Sequence, residues 1–414
     1  MPGPIWAQAL DPALTDRLQL DLQTHAGFGL KFSGSDGDNA TADWVATRLQ
    51  SAGYDVAVTS FDAPFFIPRN VGLRTIDQTV EVIAQAPVVP TAPEGIEARL
   101  TVINAENGNP TALGDVRGRI AVVLTPEARH AALFPNRGFG PTVIAAHEAG
   151  AAAVVIVTNG PTGEAIALNC PEEPFVPIPA AILAPQDANA ILTAAEQGSP
   201  AVLTIDGEAT HRPCRNVVAR LDRGPEWIAI STPRSGWFQC VAERGTGTAA
   251  FLEVANWARE RFPDKSVFLM NTGGHEYFFA GSHRVLHDAP PAESTRAWMH
   301  VGATLAARDA ESSADGWTML ETADPGRRVM ATASAADAAS AAFAGLSGMS
   351  PPDPIQPLAG ELSTFTGLGY TTAFAALGVH RWFHTRSDSL DCTSAELLSP
   401  VVVAHQRTLE LLLA

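Results

Sequence analysis

The sequence predicts an α/β protein of two domains, and three observations carry that prediction. The chain has 414 residues, more than one ordinary hydrophobic core holds. Short apolar runs of strand length alternate with amphipathic helical stretches, the rhythm of a central sheet covered on both faces. Between about Gln85 and Asp206 that rhythm changes, and polar or proline-rich sequence bounds the altered stretch on each side.

Each element has a local cause. Asp38 to Ala52 places Val45, Leu49 and Ala52 on one helical face, with an acidic or amide cap before it and Gly53 after it. Tyr54 to Ser60 alternates as a strand, and Gln85 to Gly95 is proline-rich and reads as a junction. Ile120–Leu124, Ala152–Val157 and Ile178–Leu183 are short buried strands, with a helix through Ile144 to Ala149 stopped by Gly150 and another after Asp187. A polar stretch, Gly207 to Arg215, reads as the second junction. Beyond it come strands at Val217–Leu221, Trp227–Ser231 and Val267–Asn271, and a helix over Thr246–Phe262. Ala331–Ala344 is alanine-rich and helical, Ser350–Pro357 a proline-rich loop, and the last helix starts near Thr393.

Composition excludes other classes. Hydrophobic residues make up 46% and charged residues 17%, which suits a packed globular protein. A formal charge of −17 with no basic stripe argues against a nucleic-acid partner. The longest apolar runs, such as Ala149 to Val157, are too short for a membrane span. Met1-Pro2-Gly3-Pro4 lacks the basic start and apolar stretch of a signal peptide. The cysteines, Cys170, Cys214, Cys240 and Cys392, show no paired metal spacing, so a reducing, cytoplasmic compartment is expected.

Four loops after strands carry polar residues that local structure does not require, where open α/β sheets place their sites. They are Thr232–Trp237, Cys240–Gly247, Gly273–Tyr277 running into Gly281-Ser282, and His380–Asp388. His275-Glu276 is the sharpest feature, because a polar pair between Gly-Gly and an aromatic run is costly unless it is paired or used. Cys240 has two readings, a small buried hydrophobe or a nucleophile facing the cleft. His283, His287, His300 and His405 read as surface or satisfied core residues, and Arg381 and Arg386 as solvated.

The order and spacing of Gly274-His275-Glu276, Gly281-Ser282 and His384-Thr385-Arg386-Ser387-Asp388-Ser389-Leu390-Asp391 resemble the zinc-dependent aminopeptidase and glutamate carboxypeptidase family, which also includes glutaminyl cyclases. Some members carry an inserted protease-associated (PA) domain, and Gly118–Val122 with Ala149–Ala152 is similar to it. The resemblance implies a three-layer sandwich with a central mixed sheet, formed by residues 1–84 and 211–414, and a β-rich PA-like insertion over 85–210. It covers nearly the whole chain.

The same resemblance implies a degenerate metal site. Pro233-Arg234-Ser235 stands where the family has His-x-Asp, and His300-Val301-Gly302 where a distal Asp belongs. His275 takes the place of the general-base Glu, and Glu243 that of the bridging Asp. Glu243, Glu276 and His384 survive as ligands for one Zn²⁺, or for none if arginines supply the charge. On this reading His275, Glu276, His384 and Cys240 are the catalytic candidates, and Arg234, Arg244 and Tyr277 bind substrate. The expected function is hydrolysis of an amide or related C–N or C–O bond in a small, anionic or short peptide-like substrate by a soluble protein, with a homo-oligomer open. The alternative is an inactive binding or scaffold protein that kept the fold.

Overall fold

The computed structural model describes residues 11–106, 109–125, 131–314, 316–349, 352 and 358–414. The expected loop Ser350–Pro357 (Pro352 excepted) and the segment Met1–Pro4 lie outside the described residues. The chain divides into two compact units. One comprises the residues up to Phe61 with Pro213–His275 and Phe279–Ala414; the other comprises Asp62–Arg212 with Glu276–Phe278.

The polar stretch 207–215, expected as a junction, lies inside a 22-residue strand, Pro200–Leu221, and the first strand continues from Asp55 to Arg74. These two long strands pair with each other. Partner-strand hydrogen bonds satisfy their backbones, so their exposed side chains need no apolar alternation. Arg69 Nη2 meets Asp206 Oδ1 at 2.6 Å between them.

In the first unit the strands lie in the order Arg327–Ala331, Ala373–Gly378, Thr295–Val301, Trp227–Pro233, Ser266–Thr272 and the end of Pro200–Leu221. The central four are parallel and both edges antiparallel. The mixed sheet is buried on both faces, and the period-2 alternation sorts its side chains into two cores. Ile228, Ile230, Val267, Leu269 and Met299 pack with the helices Asp36–Ser51, Thr246–Arg261 and Ala395–Leu413. Ala229, Phe268, Met270 and Trp298 point the other way, toward Val285, Leu362 and Phe365.

The helix expected from Asp38 starts at Asp36, and its cap is Ser35, whose Oγ accepts the Asp38 N–H at 3.1 Å. The last helix begins at Ala395, capped by Ser394. His405 is buried on it, and its Nδ1–H donates to the Val401 carbonyl at 2.7 Å.

In the second unit Ile96–Glu106, Ile120–Leu124, Ala153–Val157 and Ala180–Leu183 run parallel, with Val82–Ala84 and the start of Pro200–Leu221 antiparallel at the edges. Alternation again feeds two cores. Val122 and Val155 face one, and Ala121, Val123, Val154 and Ile156 the other.

Candidate active site

In the first unit, the carboxyl ends of the parallel strands lead into loops whose side chains converge. After Trp227–Pro233 the chain passes through Arg234 and Cys240 into one turn of π-helix, Val241–Gly245, which opens the long helix Thr246–Arg261. After Ser266–Thr272 comes the loop to His275. His300 sits near the end of Thr295–Val301, and the loop after Ala373–Gly378 carries His380, His384 and Asp388. Several non-glycine residues in these loops, Phe238, Cys240, Phe279, Thr304 and His384, have positive φ. Such strain, of order 1–3 kcal/mol per residue, persists only where surroundings enforce it and concentrates at functional sites.

Glu243 is the hub. Its Oε1 lies 2.9 Å from Arg244 Nη2 and 3.3 Å from His384 Nε2, with all three side chains buried. Burial would raise its carboxyl, but Arg244 and then His384 pull it down to about 2. The turn that carries it is held by Asp388, whose two oxygens accept the Ala242 and Glu243 N–H groups at 2.8 and 3.0 Å. A carboxylate at the start of a helix also meets the positive end of the helix dipole. His380 Nε2 contacts the same Asp388 at 3.2 Å.

His275 Nδ1 lies 3.0 Å from Glu361 Oε1. Glu361 opens the helix Glu361–Gly367 and is buried, and its other oxygen is 4.0 Å from His300 Nδ1. His300 is also 2.9 Å from Ser231 Oγ, which accepts the Trp298 indole N–H. Burial first, then Arg244, holds His275 well below the usual histidine range, and burial takes His300 to about 4. Both rings are neutral at pH 7. Side-chain exposure separates His275 from its neighbours: it is 14% exposed, against 1% for Glu361 and His384 and 2% for Arg244. Sequence reasoning missed Glu361, for which no local motif exists, and read His300 as a surface or satisfied core histidine standing where the family has its distal Asp.

Other expected residues have different work. Arg234 is fully buried and its guanidinium is engaged by Asp38 Oδ1 at 2.8 Å, Asn271 Oδ1 at 3.0 Å and the Arg215 carbonyl at 2.6 Å. It is a structural cation, not a substrate-binding group. Cys240 is buried, and burial followed by Glu243 pushes its thiol well above the ordinary value, the reverse of what a nucleophile needs. Tyr277 belongs to the second unit, where its hydroxyl donates to the Pro64 carbonyl at 2.9 Å. Glu276 also belongs there; its carbonyl accepts the Cys170 N–H at 2.9 Å and its charge helps to raise the Cys170 thiol. Arg381, expected to be solvated, pairs with Asp309 at 2.8 Å.

Residues 84–191 match the PA domain family model. Solved structures resemble the chain over nearly its full length. An aminopeptidase from Aneurinibacillus sp. strain AM-1 aligns at 18% identity over 95% of this chain and 93% of that one, with a TM-score of 0.68. BSAP, a zinc aminopeptidase from Bacillus subtilis, aligns at 16% over 95% and 94%, with a TM-score of 0.71. A peptidase M28 precursor from Shewanella amazonensis SB2B aligns at 18% over 96% and 94%, with a TM-score of 0.72. No curated protein matches.

The chain has the aminopeptidase fold with an inserted PA domain. At these identities the likeness speaks for fold, and the site must be judged on its own residues. Zinc, which the fold relatives suggest, does not fit the donor set here. The oxygen of Glu243 that would ligate an ion instead faces a guanidinium and an imidazole. Among the described residues no group of three or more His, Cys, Asp or Glu is arranged to hold a metal. No helix among them is long and apolar enough to cross a membrane.

Proposed function

We propose that the chain is a hydrolase of an amide or related C–N or C–O bond in a small or short peptide-like substrate, with His275 as general base and Glu361 as the group that orients it. The observation that carries this reading is the 3.0 Å contact from His275 Nδ1 to Glu361 Oε1. A carboxylate on Nδ1 fixes the tautomer that leaves Nε2 to accept a proton, and its charge opposes the burial and the Arg244 charge that disfavour the imidazolium. His275 Nε2 takes a proton from water as its oxygen attacks the carbonyl carbon. The same proton passes to the leaving nitrogen or oxygen as the bond breaks.

Two further features support the reading over a scaffold. Buried ionisable groups and strained loops are expensive and persist where chemistry uses them. The fold is also one whose relatives include aminopeptidases. The four cysteines are buried and none of them is in a disulfide, which supports a reducing, cytoplasmic setting.

The test is turnover of a panel of amino-acid anilides, N-acyl amino acids and aryl esters by wild type and His275→Ala. General-base loss should lower turnover ~10²- to 10⁴-fold; because His275→Ala also leaves the buried Glu361 without its ring partner, His275→Gln is measured beside it, with an unfolding midpoint closer to wild type and the same loss of turnover. Equal turnover by wild type and either variant, or no turnover of any panel member, counts against the reading.

A further inference from the structure

We infer that the Arg244 guanidinium takes the place of a divalent metal as the fixed cation of this site, so that the chain holds its Glu243–His384 pair without zinc. The inference stands apart from which bond the site acts on. Arg244 is buried, follows Glu243 directly in the chain, and brings Nη2 to 2.9 Å from Glu243 Oε1. A guanidinium cannot lose its proton to escape burial, so its positive charge is permanent. His384 Nε2 approaches the same carboxylate oxygen at 3.3 Å.

The arrangement therefore sets a buried guanidinium and an imidazole on one carboxylate oxygen, with the guanidinium as the fixed positive charge beside it. A metal ion added there would meet like charge at Coulombic range and would have to displace the guanidinium. Removing the arginine alone would leave Glu243 as a buried carboxylate without its closest positive partner, at a cost typical of broken buried ion pairs.

Glu243 Oε2 and Arg244 Nε and Nη2 have no hydrogen-bond partner among the described residues, although all are buried. Glu243 Oε1 is without a hydrogen-bond partner among the described residues too, so the Glu243–Arg244 contact is an ion pair and not a formed hydrogen bond.

The experiment combines metal analysis with chemical rescue. Wild-type protein dialysed against zinc and then desalted should retain only substoichiometric zinc, and neither zinc nor chelator should move its melting temperature. Arg244→Ala should melt lower, and ethylguanidinium should restore part of the loss in the variant while leaving wild type unchanged. If Arg244→Ala does not fold, Arg244→Lys keeps the charge without the planar fork; it should fold, melt below wild type and also retain no zinc. One zinc per wild-type chain with a raised melting temperature would overturn the inference. So would Arg244→Ala or Arg244→Lys as stable as wild type, or an Arg244→Ala whose loss zinc restores and ethylguanidinium does not.

Discussion

Glu361 Oε1 stands 3.0 Å from His275 Nδ1, joining a loop at the end of a central strand to a short helix 86 positions later. On the proposed reading the contact sets the tautomer of the imidazole and Glu361 is a positioning residue. Glu361, His384 and Arg244 are nearly fully buried, whereas the His275 side chain is 14% exposed.

The buried pair Arg234–Asp38 is expected to be a stability element with no part in turnover. Both side chains are fully buried and 2.8 Å apart. Arg234→Met strands the Asp38 carboxylate and should cost roughly 3–5 kcal/mol in denaturant unfolding. Asp38→Leu combined with Arg234→Met should cost less than Arg234→Met alone. A single-variant loss below about 1 kcal/mol, the range of a surface pair, would contradict this role.

Asp388 is expected to act through Glu243. Asp388→Ala removes the acceptor of two buried N–H groups, costing about 1–3 kcal/mol for each group left unsatisfied. It also lets the 241–245 turn shift, and a displacement near 1 Å lowers turnover on the order of 10²-fold. Asp388→Asn keeps one carbonyl acceptor and should fall between. Turnover and unfolding measured on both variants check this; unchanged turnover in Asp388→Ala would show that Glu243 needs no such hold.

Acid should destabilise the fold before ordinary carboxylates titrate. Burial lowers His300 and His405 from 6.5 to about 4. A depressed folded value means that the unfolded chain binds more protons, so stability is complete above pH 6.5 and falls as pH drops toward 4. Each histidine contributes up to about 1.4 kcal/mol per pH unit in that window. Melting temperature measured from pH 7.5 to 4.5 should fall increasingly steeply below pH 6.5, and less steeply in His405→Phe. A flat profile to pH 4.5 would contradict the neutral burial of these rings.

Much of the fold was legible because local chemistry repeats. Alternation in Trp227–Ser231 and Val267–Asn271, and the 3.6-residue face of Thr246–Phe262, reflect burial that each segment expresses by itself. That Gly207–Arg215, read as a junction, is also strand was not legible, because a strand paired in a long ribbon needs no apolar pattern. In the site, Glu243, His275 and His384 were legible as polar residues where loops leave strands. Arg234 was misassigned because its partner Asp38 lies 196 positions away, and spacing cannot disclose such a pairing. Glu361 was invisible for the same reason: only the fold brings it to His275.

The measurement that tests the central claim most directly is the tautomer of His275, read by long-range ¹H–¹⁵N NMR of ¹⁵N-histidine-labelled protein at neutral pH, with His275→Gln to assign its signals. The account expects a neutral ring protonated on Nδ1, with Nε2 free, and expects Glu361→Gln to weaken that preference. A ring protonated on Nε2, or one that Glu361→Gln leaves unaltered, would contradict it.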